Sequence, residues 1–466
     1  MQEQFNKIVK DASLVGATSL VYNKGEIVEK HNYGVCDLEK GNKVNSDTVF
    51  RIASVSKIIV ALCIMKLYEE NKLDINEDIS KYLGFTIRNP KYPNDKITLE
   101  MVMTQTSSIT DGLELAEGDV VDTGYNLVNG TNVECSLQDL IDPNGKHYYE
   151  GTYSNYRPGE HFQYSNLGCG ILACVTEKIT GKYFTEYVKD VVFKPLNLDA
   201  SFVVTDIKSD DVASTYVMRN GVPKKLRDRK TFEELVYDLF PLGDSFRGPA
   251  GGCFISANGL MKIMIAFLNG GEPILKKETF DRMMQMSYTC KFTKHESYTA
   301  KGLQLQITDY FEGARLYGHF GDAYGVKSHF LFNQKEQLGM IFITNGGGYK
   351  YQECGYSDVQ EKLINEVVKK YYKPEETSIF TFDTKEKIGH VLNRIVELDC
   401  VCEDNNIYIN KNNLFDALGV NTLKDFDLLS EKQYYTIEEA IEKLSPKYSY
   451  KVEKEGSKYI ISYNHL

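Results

Sequence analysis

Phe50-Arg51-Ile52-Ala53-Ser54-Val55-Ser56-Lys57 runs directly into Ile58-Ile59-Val60-Ala61-Leu62-Cys63-Ile64-Met65, and the reading of this stretch decides the fold. Ile58, Leu62, Met65 and Leu67 recur at helical spacing, so a helix follows Ser54, one too apolar to lie on a surface. Ser54 stands at its N-terminus, and Lys57, three residues on, shares its face one turn away. A hydroxyl attacks a carbonyl only when a neighbour takes its proton, which a desolvated lysine amine can do. Set against this, a serine at a helix start is more often a cap, and a lone lysine usually snorkels to water. A lysine opening so apolar a helix therefore calls for a partner elsewhere in the chain.

Two Tyr-Ser-Asn triplets offer one: Tyr153-Ser154-Asn155 and Tyr164-Ser165-Asn166. The later copy is the better candidate, because the turn residues Arg157-Pro158-Gly159 precede it and an apolar segment, Leu167 to Thr180, follows and stops at Gly181. Tyr164 then serves as base toward Ser54 and as acid toward the leaving group, while Asn166 orients Lys57 and hydrogen-bonds a substrate amide. A third piece, His319-Phe320-Gly321, lies in the run Tyr317 to Val326, ahead of two expected strands, Tyr324 to Asn333 and Leu338 to Thr344. Gly321 lets a strand edge approach a substrate closely, and the next amide, that of Asp322, is placed to face a developing oxyanion. Alone, this third piece reads as a Gly-rich turn with a surface histidine.

Together and in this order the three pieces resemble the serine β-lactamase and penicillin-binding protein family, whose SxxK motif is shared by all its branches. The likeness is greatest to class C β-lactamases, D-aminopeptidases and related esterases, which pair SxxK with Tyr-x-Asn and a third motif that takes the form His-x-Gly in some members. It runs from about residue 5 to about residue 372. It includes Ile97 to Asp111, similar to the family's TxxxLLTHTSGL segment, and Lys194 to Leu198, Gly248 to Gly252 and Ile343 to Gly346. The resemblance implies an α+β fold, an antiparallel sheet flanked by helices beside an all-helical lobe, with Ser54 at their junction. It also implies an acyl-enzyme on Ser54, Lys57 and Tyr164 as proton carriers, Asn166, His319 and Gly321 in the pocket, and an oxyanion hole from the amides of Ser54 and Asp322. No cofactor or metal is implied. Two departures stand out: Gln105-Thr106-Ser107-Ser108 replaces His-Thr-Ser-Gly, and His319 replaces the lysine of true β-lactamases. The second argues against carboxylate recognition at that point and for a small ester or amide, such as a D-amino-acid peptide. A non-catalytic protein of the same fold that senses or binds β-lactams or peptides is the alternative from another class.

The remaining chain sets bounds. Its 466 residues are too many for one average domain. After Lys373-Pro374-Glu375-Glu376 the pattern changes to short elements, Ile407 to Ile409, Leu414 to Leu418, Thr436 to Leu444 and Tyr459 to Tyr463. This divides it into a catalytic domain, 1–373, and a small α+β module, 378–466, whose docking partner is open. A formal net charge of −11 without a basic patch speaks against nucleic acid. The expected partner is instead a small molecule or short peptide. Met1 to Ala12 reads as an amphipathic helix rather than a signal peptide, and the ten scattered cysteines suit free thiols, so a cytoplasmic protein without a membrane-spanning segment is expected. Cys400 and Cys402 lack a second ligand pair for zinc. The polar stretches Gly112 to Gly159 and Thr205 to Gly248 are candidate substrate-shaping loops.

Overall fold

Alternating residues near the N-terminus form the expected hairpin, strands β1 (Gly16–Asn23) and β2 (Glu26–Gly34), turned by Lys24 and Gly25 at positive φ of 46° and 106°. They belong to a computed structural model that describes all residues except 113–123, 130, 132, 235–239, 286, 290–299, 309, 312–313, 353–355, 373–377, 384–387, 392–393, 398–399, 404–405, 411–413, 415–431, 445–447, 457 and 466. Further strands are β3 (Val49–Arg51), β4 (Thr215–Arg219), β5 (Val222–Arg227), β6 (Phe254–Ser256), β7 (Tyr288–Thr289), β8 (Ala300–Lys301), β9 (Gln306–Thr308), β10 (Leu316–Ala323), β11 (Val326–Asn333) and β12 (Leu338–Thr344). The main sheet runs β2-β1-β12-β11-β10-β9-β8-β7, all neighbours antiparallel. It unites both ends of the catalytic region, since β1 pairs with β12 from Ala17↔Thr344 to Asn23↔Leu338.

Period-two alternation sends β12 side chains to two different cores. Ile341 and Ile343 pack with Leu260, Met264 and Phe267 of the helix Ala257–Leu268, whereas Met340 and Phe342 join clusters with Ile364 and Leu363 of the helix Asp358–Tyr371. That last helix has the expected Ser357 cap, completed as a capping box by Gln360. Between residues 70 and 200 the described chain holds helices and no strand beyond isolated bridges, which is the all-helical lobe. The helix Ser56–Glu69 lies between lobe and sheet, against the helix Asn166–Thr180 and β10, and is buried without a break from Ser56 to Met65.

The C-terminal strands are β13 (Ser378–Asp383), β14 (Ile388–Val391), β15 (Arg394–Glu397), β16 (Cys400–Glu403), β17 (Asn406–Asn410), β18 (Tyr434–Tyr435), β19 (Tyr448–Glu455) and β20 (Lys458–His465). They form two sheets of their own, β15-β14-β13-β20-β19 and β16-β17-β18. With the helix Ile437–Leu444 they enclose a core that includes Ile409, Tyr435, Ile437 and Ile461. The expected element Leu414 to Leu418 lies, beyond Leu414 itself, outside the described residues, as does the junction at Lys373 to Glu376.

Candidate active site

Ser54 occupies a single 3-10 turn, Ala53–Val55, between β3 and the helix Ser56–Glu69. Its predecessor Ala53 has φ +48°, a left-handed conformation that costs a non-glycine residue about 1–2 kcal/mol and clusters at functional sites. The second serine of the motif stabilises this turn: Ser56 Oγ donates to Ala53 O at 2.6 Å and accepts from Cys253 N at 3.1 Å. Lys57 is fully buried. Its Nζ lies 3.2 Å from Ser54 Oγ, 2.7 Å from Asn166 Oδ1 and 2.9 Å from Ala250 O. The two carbonyl oxygens only accept, so they take two N–H groups, and the third position of the tetrahedral nitrogen is directed at the serine hydroxyl. Lys57 therefore does not snorkel. Ala250 is presented by the Gly248 to Gly252 loop, where the amides of Gly251 and Gly252 both return to Gly248 O.

Tyr164 lines the same cavity as Ser54, and its ring meets Lys57 Nζ at 4.8 Å from the centroid. Among the described residues no hydrogen bond joins its hydroxyl to Ser54, so direct contact with the serine belongs to Lys57. The earlier tyrosine is elsewhere: Tyr153 is 3% exposed and donates to Ile141 O at 3.0 Å, inside the helical lobe. Asn166 opens the helix Asn166–Thr180, and its amide is clamped at both ends. While Oδ1 accepts from Lys57, Nδ2 donates to Asp111 Oδ2 at 2.7 Å, so that N–H is directed away from a substrate.

Sequence reasoning missed Asp111. Its carboxylate also accepts from Asn166 N at 2.9 Å, Leu167 N at 2.8 Å and Ser165 Oγ at 3.0 Å, which satisfies the orphan donors at that helix start and favours the helix dipole. Nothing in the spacing of Asp111 announces this; it closes a segment quoted only for likeness. Gln105, where the family has histidine, accepts from Ser165 N through Oε1. Ser108, where glycine is usual, still adopts φ +64°, and Gln105 has φ +65°. The loop thus keeps the left-handed bend at a position where glycine is the unstrained residue.

The far wall is β10. Its ladder with β9 ends at Gly318↔Gln306, so residues beyond expose one edge. Phe320 N donates to Gln306 Oε1 at 3.3 Å on that side, and by strand alternation Asp322 N points the same way. Gly321 packs so closely on the Ser54 turn that a Cβ would lie 2.6 Å from Ile52 O, 3.2 Å from Ala53 Cβ and 2.1 Å from Ser328 Oγ. His319 is 1% exposed and lines the cavity, so the third motif is not the surface turn it resembles when taken alone. Burial, then the nearby side chains of Lys301 and Lys57, push its imidazole well below the usual histidine range, so it is neutral. Nδ1 lies 2.6 Å from Phe320 O and must carry the hydrogen. Nε2 is then a bare acceptor, buried and without a hydrogen-bond partner among the described residues. The Asp322 side chain is half-exposed, paired with Lys327 Nζ and accepting from Tyr351 Oη at 2.6 Å.

Ser54, Tyr164, Asn166, His319, Gly321 and Asp322 all line one cavity of about 480 Å³. Tyr125 and Asn129 reach it from the first candidate loop, Arg227, Phe240 and Arg247 from the second. Among the described residues no group of three or more His, Cys, Asp or Glu side chains is arranged to hold a metal, and no helix is long and apolar enough to cross a membrane.

Comparison with known proteins agrees with this geometry. The sequence pattern of the Beta-lactamase family matches residues 1–358. Protein flp of Staphylococcus aureus strain N315 is 28% identical over 227 residues, which is 48% of this chain and 42% of that protein, so the chain spans less than half the length of this relative. Esterase EstB of Burkholderia gladioli is 30% identical over 232 residues, 49% of this chain and 56% of the esterase. The D-amino acid amidase from Ochrobactrum anthropi SV3, solved with D-phenylalanine, superposes with a TM-score of 0.58 at 18% identity, over 79% of this chain and 98% of the amidase.

Proposed function

The chain belongs to the β-lactamase family, and we propose that it is a serine hydrolase that forms an acyl-enzyme on Ser54 and hydrolyses a small ester or amide. The observation that carries this reading is the 3.2 Å contact between Ser54 Oγ and a buried lysine whose other two acceptors are fixed. In the acylation step Ser54 Oγ forms a bond to the substrate carbonyl carbon and its proton passes to Lys57 Nζ. The carbonyl oxygen, now negative, is held by the amides of Ser54 and Asp322. As the tetrahedral centre collapses, the bond to the leaving group breaks and that group receives a proton by way of Lys57 and Tyr164, whose ring lies against the ammonium. Water then attacks the acyl carbon, the same groups take its proton, and Ser54 leaves with its hydrogen restored. Asn166 and Asp111 hold Lys57 in place. His319 offers Nε2 as an acceptor to an N–H of the substrate, as suits the amide of a D-amino-acid peptide.

The test is labelling with a fluorophosphonate and location of the adduct by mass spectrometry. A single adduct on Ser54, lost in Ser54→Ala, is expected; an adduct elsewhere, or none, refutes the assignment. We also propose that residues 378–466 are a separate module, a reading supported by sheets and a core drawn from that region alone.

A further inference from the structure

Past Gly321 the cavity changes character. Besides the catalytic residues, its lining includes Arg51, Arg227, Arg247 and Lys327, with Asp322 as the sole acid among its described lining residues. Lys327 is already paired with Asp322. The three arginines have no ion pair among the described residues. Arg51 is 8% exposed; its Nε donates to Gly251 O at 2.8 Å, and its Nη1 is buried without a hydrogen-bond partner. Arg227 is half-buried, and the guanidinium carbons of Arg51 and Arg227 lie 4.8 Å and 4.7 Å from the centre of one ring, that of Tyr324. Arg247 is 3% exposed between Phe240 and Phe246, at 4.0 Å and 4.9 Å. One of its nitrogens donates to Val133 O at 2.7 Å, while Nε and Nη1 are buried without partners. The neighbouring groups are Cys135 and Asp244, which act on the guanidinium, but one Asp244 oxygen accepts from Leu137 N and neither residue forms an ion pair with Arg247 among the described residues. Buried arginine donors are normally paired with a carboxylate or phosphate, because leaving them empty costs several kcal/mol. Two such groups, with the half-buried Arg227 beside one of them, converge on one cavity and make a site awaiting an anion.

The direction of the chain says which half of the substrate supplies it. Tyr164 and His319 lie at the end where the leaving group collects its proton. Tyr324 lies beyond Asp322 in the opposite sense from His319, in the turn that joins β10 to β11, and therefore on the acyl side. We infer that the acyl half of the substrate carries a carboxylate on a short spacer, received by Arg51, Arg227 and Arg247. This rests on the serine-hydrolase reading for its orientation. It also modifies the expectation drawn from His319: a cation is missing at that position, yet cations are present at the other end.

Glutaryl- and pentanoyl-7-amido-4-methylcoumarin, equal in chain length and differing in the terminal carboxylate, test it. For the parent enzyme kcat/KM should favour the glutaryl amide at least tenfold, and in Arg247→Gln and Arg227→Gln this ratio should fall at least tenfold, through KM. Arg157→Gln, whose side chain pairs with Asp95 and is 55% exposed, is the control that should leave the ratio unchanged. Arg227→Gln carries the test if the buried replacement at 247 does not fold. A ratio near one, with Ser54 labelled normally, overturns the inference and leaves the hydrolase standing. Failure of Ser54 to label sinks the hydrolase instead. The anion site is then judged by calorimetry on Ser54→Ala, where glutaryl amide binding no tighter than pentanoyl overturns it and tenfold tighter binding, weakened in Arg227→Gln, supports it.

Discussion

Replacing Asp111 by Asn probes how the lysine is held, since it changes one atom's hydrogen-bonding sense and almost no volume. Oδ1 accepts from Ser165 Oγ and Leu167 N, and the new amide oxygen keeps both. Oδ2 accepts from Asn166 N and Asn166 Nδ2, and there an NH₂ now faces two donors. Each bond to a charged acceptor is worth about 1.5–3 kcal/mol, so the loss of two, offset by local rearrangement, destabilises by about 2–4 kcal/mol. The cheapest rearrangement is a flip of the Asn166 amide, which turns Nδ2 toward Lys57 Nζ and removes the 2.7 Å acceptor. Acylation should slow by roughly 10- to 100-fold, about 1.4–2.7 kcal/mol. Fluorophosphonate labelling rates and thermal unfolding, measured on the same preparations, read both effects. The exchange Asp111→Asn/Asn166→Asp supplies the proof: the amide introduced at position 111 can donate to one oxygen of the carboxylate introduced at position 166 while the other accepts from Lys57. A coupling of about 1 kcal/mol or more and a tenfold recovery in rate are expected. Asp111→Asn labelled at the parental rate would refute this account of the site.

Tyr164→Phe should lower acylation by roughly 10²- to 10⁴-fold, while Tyr153→Phe should cost only about 1 kcal/mol of stability for its bond to Ile141 O. Reversed effects would exchange the two triplets. Gly321→Ala drives a methyl into Ile52 O and Ser328 Oγ, so labelling should fall at least 100-fold with a stability loss of about 1–3 kcal/mol; a normally labelled variant contradicts the contact. Burial pushes His329 down to about 3, so the unfolded chain, near 6.5, binds its proton first; stability is complete above about pH 6.5 and falls as pH drops toward 3. By pH 5 this amounts to about 2 kcal/mol, which denaturant titration should see vanish in His329→Leu. Deleting 378–466 should leave a folded, labelled catalytic domain, and aggregation of the shortened chain would show that the module covers its apolar surface.

What was legible in the sequence was whatever a local period or a one-turn spacing encodes. Ser54 and Lys57 are such a pair, and the apolar run after them announces burial. The hairpin, the closing helix with its Ser357 cap, and the helix ending at Gly181, observed at φ +66°, were read the same way. Asp111 was invisible because its meaning depends on donors 54 to 56 residues further on, brought to it only by the packing of the lobe. The three arginines were invisible for a related reason. An arginine normally reaches water, whether in a strand like Arg51 or a polar loop like Arg247, and only the folded cavity shows that these two do not. His319 shows the limit of a local reading, since its Gly-rich neighbourhood alone suggests exposure, and only its place beside the other two motifs suggested the pocket that it lines.

The pairing of β1 with β12 also governs how the protein comes into being. On the ribosome, β1 and β2 emerge early, but β12, the other neighbour of β1, ends at Thr344 and is the last strand of that sheet to be made. At about 5–20 residues per second the gap is roughly 15–60 s, far longer than a hairpin or a helix needs to form. Throughout it the helix Ser56–Glu69, buried without a break from Ser56 to Met65 in the finished fold, lacks the completed sheet. The side of that helix that meets β10 therefore waits for its cover until the strands between residues 316 and 344 are made.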